Sequence, residues 1–152
     1  MEEAGIYARE SSYLERAVQL GVAGGQVISL SFPETVDPNA GDDHEVLDRI
    51  FAYLEGVEDD FEDLEVALTL PTDQRSVLRA TRKIPYGEQV SAETLARMAG
   101  VFDPNSDEDL AVVRTALDEN PIPLVIPDHR VRDAPSATPP AIEQKLRSLE
   151  GH

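Results

Sequence analysis

The chain has 152 residues, enough for one domain or two small domains that share a core. It contains no cysteine, which excludes disulfides, thiolate metal sites and cysteine nucleophiles. Its formal net charge is −17, with only two lysines, which indicates either a halophilic protein from a salt-rich cytosol or an ordinary acidic protein. Because no signal peptide and no apolar run of membrane-spanning length are evident, we expect a cytoplasmic protein without membrane contact.

The charge is distributed unevenly along the chain. Residues 1–70 carry 17 acidic residues and three arginines, a net charge of −14. Residues 71–152 carry 13 acidic and ten basic residues, a net charge of −3. Most of the basic side chains that could meet an anionic partner therefore lie in the second half.

The first half predicts a small sheet with one helix. Apolar residues on both sides of the turn Ala23-Gly-Gly-Gln26 predict a β-hairpin over residues 12–33. Asp42 is the predicted N-cap of a helix that ends at Gly56, with Leu47, Ile50, Phe51 and Leu54 at helical spacing. The alternation in residues 64–70 predicts a third strand, and Pro71 is the predicted domain boundary.

The second half predicts helices. Thr72 is expected to cap a helix that runs to about Lys83, and Ser91 a short one. Ser106 and Asp109 form a predicted capping box for a helix that ends before Pro121, and a last helix follows the Pro/Ser/Thr loop. We therefore predict an α/β (α+β) chain: residues 1–70 as a small antiparallel sheet with one helix, and residues 71–152 as a helix-turn-helix, winged-helix-like domain.

One stretch places polar residues at the end of a buried segment. Pro121, Pro123 and Pro127 bracket an apolar run that is expected to be short, extended and buried. The triplet Asp128-His129-Arg130 follows it. These side chains form either a functional site or a hydrogen-bonded corner in which Asp128 pairs with His129 or Arg130.

This stretch, Asn120-Pro-Ile-Pro-Leu-Val-Ile-Pro-Asp-His-Arg-Val131, resembles the active-site signature of the methylated-DNA–protein-cysteine methyltransferases, the alkylguanine-DNA alkyltransferases. Upstream, Ile84-Pro-Tyr-Gly-Glu-Gln-Val-Ser91 with Leu95-Ala96 and Ala99-Gly100 is similar to the family's entry into its helix-turn-helix. Together these motifs cover most of residues 72–131 in the family's order. A small sheet with one helix is also the N-terminal architecture that the resemblance implies.

The resemblance assigns roles by position. Asp128 stands where the family has its acceptor cysteine, and Asn120 matches the hinge asparagine. His129 matches the histidine of the relay that activates the cysteine, and Glu150 lies near where the glutamate of that relay would fall. The arginine that fills the gap left by an extruded guanine falls on Ala111, and the tyrosine that helps to rotate its phosphate falls on Ala92. The loop of residues 132–140 is shorter than the family's pocket-closing loop and lacks glycine.

Six basic residues are candidate DNA contacts, four of them a stripe on one face of the first helix of the second half: Arg75, Arg79, Arg82 and Lys83, with Arg114 and Arg130 farther on. The stripe meets either phosphates or the acidic first half, through Asp59, Asp60, Glu62 or Asp63. The acidic residues around the start of the predicted second helix of the pair would repel phosphates. No metal site is predicted, because adjacent residues such as Asp128 and His129 rarely share one ion.

Three functions are compatible with these observations. The leading one is a non-catalytic alkyltransferase-like protein that binds double-stranded DNA or senses alkyl damage. The second is a protein-interaction or structural module with an unidentified protein partner. The third is an atypical alkyl-transfer enzyme that uses Asp128, whose carboxylate is a far weaker soft nucleophile than a thiolate. No cofactor is expected.

Overall fold

In the computed structural model, which describes residues 5–100 and 102–151, the chain begins with a three-stranded antiparallel sheet of order β1-β2-β3. The strands are β1 (Gly5–Ser11), β2 (Arg16–Ala23) and β3 (Gln26–Ser31). Gly24 and Gly25 make the predicted tight turn with φ of 58° and 80°, a conformation that glycine adopts without strain. The hairpin of β2 and β3 is therefore as predicted.

The third strand is not where the sequence suggested. Residues 64–70 form no strand and join β3 only at the bridge between Val27 and Val66. The strand that completes the sheet is β1, which pairs with β2 from Gly5 opposite Val22 to Ser11 opposite Arg16. Alternation in residues 64–70 reports a half-buried extended segment, but it does not determine whether a ladder of hydrogen bonds forms.

Helix α1 (Glu45–Leu54) packs beneath the sheet with Leu47, Ile50 and Tyr53 on its buried face. Its N-cap is His44, whose Nδ1 accepts a hydrogen bond of 3.1 Å from the backbone N–H of Val46. The prediction that Asp42 caps this helix is wrong by two residues.

The helices of the second half are α2 (Thr72–Thr81), α3 (Ala92–Ala99), α4 (Asp107–Asp118) and α5 (Pro140–Leu149). Ser91 and Ser106 cap α3 and α4 as predicted, each accepting from the N–H three residues on. Thr72 does not cap α2, because the N-cap position is Pro71, which has no side chain acceptor. Helices α2, α3 and α4 pack against one another, so the predicted helix pair exists, and its helix-turn-helix character stays a prediction.

The core joins both halves of the chain. Buried side chains from before and after Pro71 belong to a single hydrophobic cluster, with Leu20 and Ile50 on one side and Leu78, Leu95 and Leu117 on the other. The division into two domains at Pro71 stays a prediction. No helix among the described residues is both long and apolar enough to span a bilayer.

Candidate functional site

The side chain of Asn120 holds together the start of the segment between α4 and α5. Its Nδ2 donates to the carbonyl of Ile126 at 3.0 Å, and its Oδ1 accepts from the N–H of Ile122 at 3.0 Å. The apolar run is buried as expected, but it folds into a tight loop with a bridge between Pro123 and Ile126 rather than an extended segment. The loop delivers a 3-10 turn, Asp128–Arg130, whose three side chains are all buried.

The Asp128 carboxylate is completely enclosed, with 0% of the residue exposed. Its Oδ2 accepts from Asn120 Nδ2 and from the Ala137 N–H, both at 3.0 Å, and its Oδ1 accepts from Thr138 Oγ1 at 2.8 Å. Ala137 and Thr138 belong to the loop of residues 132–140. Asp128 therefore fastens that loop to Asn120 at the end of α4.

The ionisation of Asp128 is a balance of opposing effects. Burial raises the pKa of the carboxyl above its ordinary value, while hydrogen bonds from Thr138, Ser136 and Asn120 favour the ionised form. The carboxylate is an acceptor for its neighbours and has no exposed face toward solvent.

Asp128 does not pair with His129 or Arg130, so that expectation is wrong. Both of those side chains turn toward Glu150 instead. Arg130 donates to Glu150 through Nε at 2.9 Å and Nη2 at 3.0 Å, and His129 Nε2 lies 2.7 Å from Glu150 Oε2. The bidentate guanidinium–carboxylate geometry explains why Arg130 takes the carboxylate of α5 rather than its neighbour in sequence.

Glu150 is the centre of a buried polar network. Besides His129 and Arg130, its carboxylate accepts from the Tyr53 hydroxyl of α1 and from the Gly87 N–H at 3.3 Å. Burial opposes the ionised form, but hydrogen bonds from His129 and Arg130 outweigh it and lower the pKa of Glu150 below its ordinary 4.5. Burial beside this carboxylate raises the pKa of Tyr53. The predicted pairing of His129 with Glu150 is thus present in the structure.

The two ring nitrogens of His129 differ. Nε2 faces Glu150, whereas Nδ1 is buried and has no hydrogen-bond partner among the described residues. No group of three or more His, Asp or Glu side chains in residues 5–100 and 102–151 is arranged to hold a metal ion. The buried site is therefore an ion-pair and hydrogen-bond network built from protein groups.

The positions expected to extrude a base have small side chains in two different settings. Ala92 is buried, with its N–H bonded to Asp133 Oδ1 at 2.7 Å, and Ala111 is exposed on α4. The start of α4 is acidic, with Asp107 and Glu108 exposed. In addition, Asp109 Oδ2 accepts from the Asp103 N–H at 2.7 Å, so this carboxylate orders the turn before the helix.

The predicted basic stripe is split by the fold. Arg79 and Lys83 are exposed, whereas Arg82 Nη2 donates to the carbonyls of Phe61 and Leu64 at 2.7 and 2.8 Å. Arg75 is half-buried and donates to Thr72 Oγ1 at 3.1 Å. Arg82 thus contacts the first half of the chain through backbone carbonyl oxygens. Among the residues that the structure describes, it forms no hydrogen bond with the carboxylates that the sequence suggested.

Arg130 must be removed from the candidate DNA contacts. It is 2% exposed, and its guanidinium binds Glu150, the Ile84 carbonyl at 2.6 Å and Asp60 Oδ1 at 3.3 Å. Arg114 is exposed on α4, as a phosphate contact requires.

Sequence reasoning missed Tyr53, Ala137 and Thr138, and it considered Asp60 as a partner of the basic stripe rather than of Arg130. Tyr53 lies at helical spacing from Ile50, and a polar aromatic residue on a buried face is a sign of a hydrogen-bond partner inside. Thr138 has no comparable sign in the sequence, because residues 132–140 are typical of an exposed loop.

A family model described as "6-O-methylguanine DNA methyltransferase, DNA binding domain" matches residues 72–150. A methylated-DNA–protein-cysteine methyltransferase of Metallosphaera sedula is 28% identical over 109 residues, which are 70% of this chain and 65% of the relative. The match thus spans slightly less than two thirds of that relative's length.

Solved structures share the whole fold. The O6-methylguanine methyltransferase of Mycobacterium tuberculosis superimposes with a TM-score of 0.74 and 24% identity, over 97% of this chain and 92% of that one. A structure of that organism's OGT in complex with DNA has a TM-score of 0.72 and 26% identity, over 95% and 91% of the two chains. The O6-methylguanine-DNA methyltransferase of Pyrococcus kodakaraensis has a TM-score of 0.68 and 19% identity, over 98% and 99%.

Proposed function

Because the chain belongs to the 6-O-methylguanine DNA methyltransferase family, we propose that it is a DNA-binding member that accepts no alkyl group. The observation that carries this proposal is Asp128. It occupies the position of the acceptor cysteine, is fully buried, and has both carboxylate oxygens engaged by Asn120, Ala137 and Thr138.

Two losses add to the missing thiol. A flipped base needs a residue that fills its place in the duplex, and Ala92 and Ala111 are too small for the roles that the family gives to tyrosine and arginine. A base also needs a pocket, and the loop that would enclose it is fastened to Asp128. Removing the nucleophile and the positioning groups together costs far more than either change alone.

DNA binding is supported by the match of residues 72–150 to the family's DNA-binding domain and by the solved DNA complex of a relative 26% identical to this chain. Exposed basic residues remain on this part of the chain, among them Arg79, Lys83 and Arg114. Discrimination of alkylated from unmodified DNA is the finer form of the same proposal.

The test combines binding and covalent readouts. Fluorescence anisotropy with a labelled duplex, with and without one O6-methylguanine, should show binding that weakens with rising KCl. Intact-mass spectrometry after incubation with the methylated duplex should show no gain of a methyl group. A gain that maps to Asp128 would instead identify an alkyl-transfer enzyme with a carboxylate acceptor.

A second candidate function is a protein-interaction module without DNA binding. The exposed carboxylates of Asp107 and Glu108 at the start of α4 favour it, because they repel phosphates within the region that matches the family's DNA-binding domain. Absence of binding to duplex DNA at every KCl concentration at which the protein is folded would favour this alternative.

A further inference from the structure

A groove lined mainly by basic side chains lies between α2 and the loop that precedes Leu64. It has a volume of about 460 Å³ and is lined by Arg79, Arg82, Lys83 and Glu62. One water molecule occupies about 30 Å³ of liquid volume, so the groove has room for a much larger group than single waters. Three cations face a single carboxylate there, in a chain whose net charge is −17.

The cations of the groove are not neutralised inside the protein. Five other basic side chains, Arg9, Arg49, Arg130, Lys145 and Arg147, form ion pairs with acidic residues, whereas Arg97 and Arg114 form none with any described residue. Arg79 and Lys83 are exposed and form no ion pair with any residue that the structure describes. Arg79 lies on α2 and Lys83 just beyond its end, and both side chains line the same groove.

Arg82 also lines the groove and is half-buried behind Arg79 and Lys83. Both of its hydrogen bonds to described residues use Nη2 and end on carbonyl oxygens, and its Nε is buried without a partner. Burial lowers the pKa of Arg82, and the nearby carboxylates of Glu62 and Asp63 only partly offset this effect. A partly buried guanidinium that is bound to carbonyls alone attracts an anion.

We propose that this groove binds a phosphate group of the nucleic-acid backbone, through Arg79 and Lys83 with Arg82 behind them. The inference rests on the proposed DNA binding and adds a contact surface to it. Arginine and lysine are the side chains that bind phosphate as a fork and as a point charge. The groove lies at the C-terminal end of α2, and its lining includes none of the acidic residues at the start of α4.

The experiment compares two charge-matched double variants by fluorescence anisotropy with an unmodified duplex over a KCl series. R79Q/K83Q removes two cations from the groove, and R97Q/R132Q removes two exposed cations from outside it. For R79Q/K83Q we expect weaker binding and a log–log salt slope that is smaller by about one, because one phosphate contact is lost. The R97Q/R132Q variant should retain the slope of the wild type.

A pair of acidic substitutions tests the same site in the opposite direction. Glu62→Gln removes the carboxylate of the groove and should tighten DNA binding, whereas Glu34→Gln, exposed in the loop after β3, should leave it unchanged. Both variants change the net charge equally, so a difference between them reports the location of the contact. Circular dichroism of each variant verifies that the fold is retained.

The outcomes separate the inference from the proposed function. Loss of slope in R97Q/R132Q alone, or equal loss in both double variants, would leave DNA binding intact and overturn the groove. Wild-type protein that binds no duplex at any KCl concentration at which it is folded would overturn both. If the wild type instead binds poly-glutamate and R79Q/K83Q does not, the groove takes an acidic protein segment rather than a phosphate.

Discussion

The carboxylate of Asp128 is a structural acceptor. Each of its oxygens is held at 2.8 to 3.0 Å by a donor from the hinge or from the loop of residues 132–140. A thiolate at this position would have weaker hydrogen bonds to the same donors, because sulfur is a weak acceptor. A cysteine at position 128 would therefore suit alkyl transfer, whereas an aspartate suits the hydrogen bonds that hold the loop.

Substitution of Asp128 by Cys tests this conflict. We expect the variant to lose about 1–3 kcal/mol of unfolding free energy, because three donors lose their acceptor. Hydrogen exchange should quicken at Ala137 and Thr138. Methyl uptake from methylated duplex, measured by intact mass, should stay slow, because the family resemblance places the small residues Ala92 and Ala111 where the base-extruding side chains would stand.

The matched control is Asp128→Ser, which also shortens the side chain but provides no sulfur. Rapid alkylation of the Cys variant at unchanged stability would show that a base pocket is intact and that only the nucleophile had been lost. Equal exchange rates in the wild type and both variants would contradict the role of Asp128 in fastening the loop.

For single residues, the sequence predicts which side chains belong to the site better than it predicts their hydrogen-bond partners. The pairing of His129 with Glu150 followed from the resemblance alone, since both residues align with a known relay. The partners of Asp128 could not be predicted, because Ala137 contributes a backbone N–H, which is independent of residue type, and Thr138 lies in an unpatterned loop. Arg130 was misassigned to the surface because its partner, Glu150, is twenty residues away in sequence.

At the scale of elements, Glu150 connects three parts of the fold. It ends α5 and binds Tyr53 of α1 together with His129 and Arg130 of the 3-10 turn. Removal of one partner of a buried ion pair leaves the other charge unpaired and costs about 3–5 kcal/mol. We therefore expect Glu150→Gln to destabilise the protein strongly, as measured by urea unfolding at neutral pH and fixed KCl.

The pH dependence of this loss has a definite sign. The pKa of Glu150 is lowered in the folded state, so its contribution is complete above the ordinary value of 4.5 and is lost as pH falls below it. The raised pKa of Asp128 acts oppositely, because its buried charge costs stability as pH rises above 3.8. That effect is common to both proteins, so the difference between wild type and Glu150→Gln should shrink below pH 4.5.

A surface ion pair provides the control. Glu143 and Arg147 are joined at 3.3 Å on α5 with partly exposed side chains, and Glu143→Gln should cost no more than about 1 kcal/mol. A loss of similar size for Glu143→Gln and Glu150→Gln, or a difference that does not change with pH, would contradict the central role of the Glu150 network.

Elements with local signals were predictable, and those that depend on distant pairing were not. Ser91, Ser106 and the two glycines of the hairpin mark their helix starts and turn by local chemistry, and the structure agrees with each. Local composition does not distinguish residues 5–11 from residues 64–70. Only the pairing of β1 with Arg16 to Val22 determines which of them becomes a strand.

At the scale of the whole molecule, charge is the dominant feature. The core that joins both halves is made of ordinary apolar residues, whereas the surface carries most of the 30 acidic side chains. Composition predicts this surface without any structure. It does not predict that Arg79, Arg82 and Lys83 line one groove. That location depends on α2 facing the loop before Leu64, which is a tertiary contact.

The thermal stability of the protein should depend on salt concentration. Self-repulsion among carboxylates destabilises a compact chain of net charge −17, and salt shortens the screening length from about 10 Å at 0.1 M to about 3 Å at 1 M. We therefore expect the melting temperature, followed by circular dichroism, to rise from dilute buffer to molar KCl. A variant with exposed Glu34, Glu55, Glu58 and Glu65 changed to Gln should be more stable in dilute buffer and should gain less from salt. This variant separates screening from the general strengthening of apolar burial by salt, because only screening depends on the number of carboxylates. A melting temperature that is independent of KCl, or a gain that is equal in both proteins, would contradict a halophilic origin of the acidic surface.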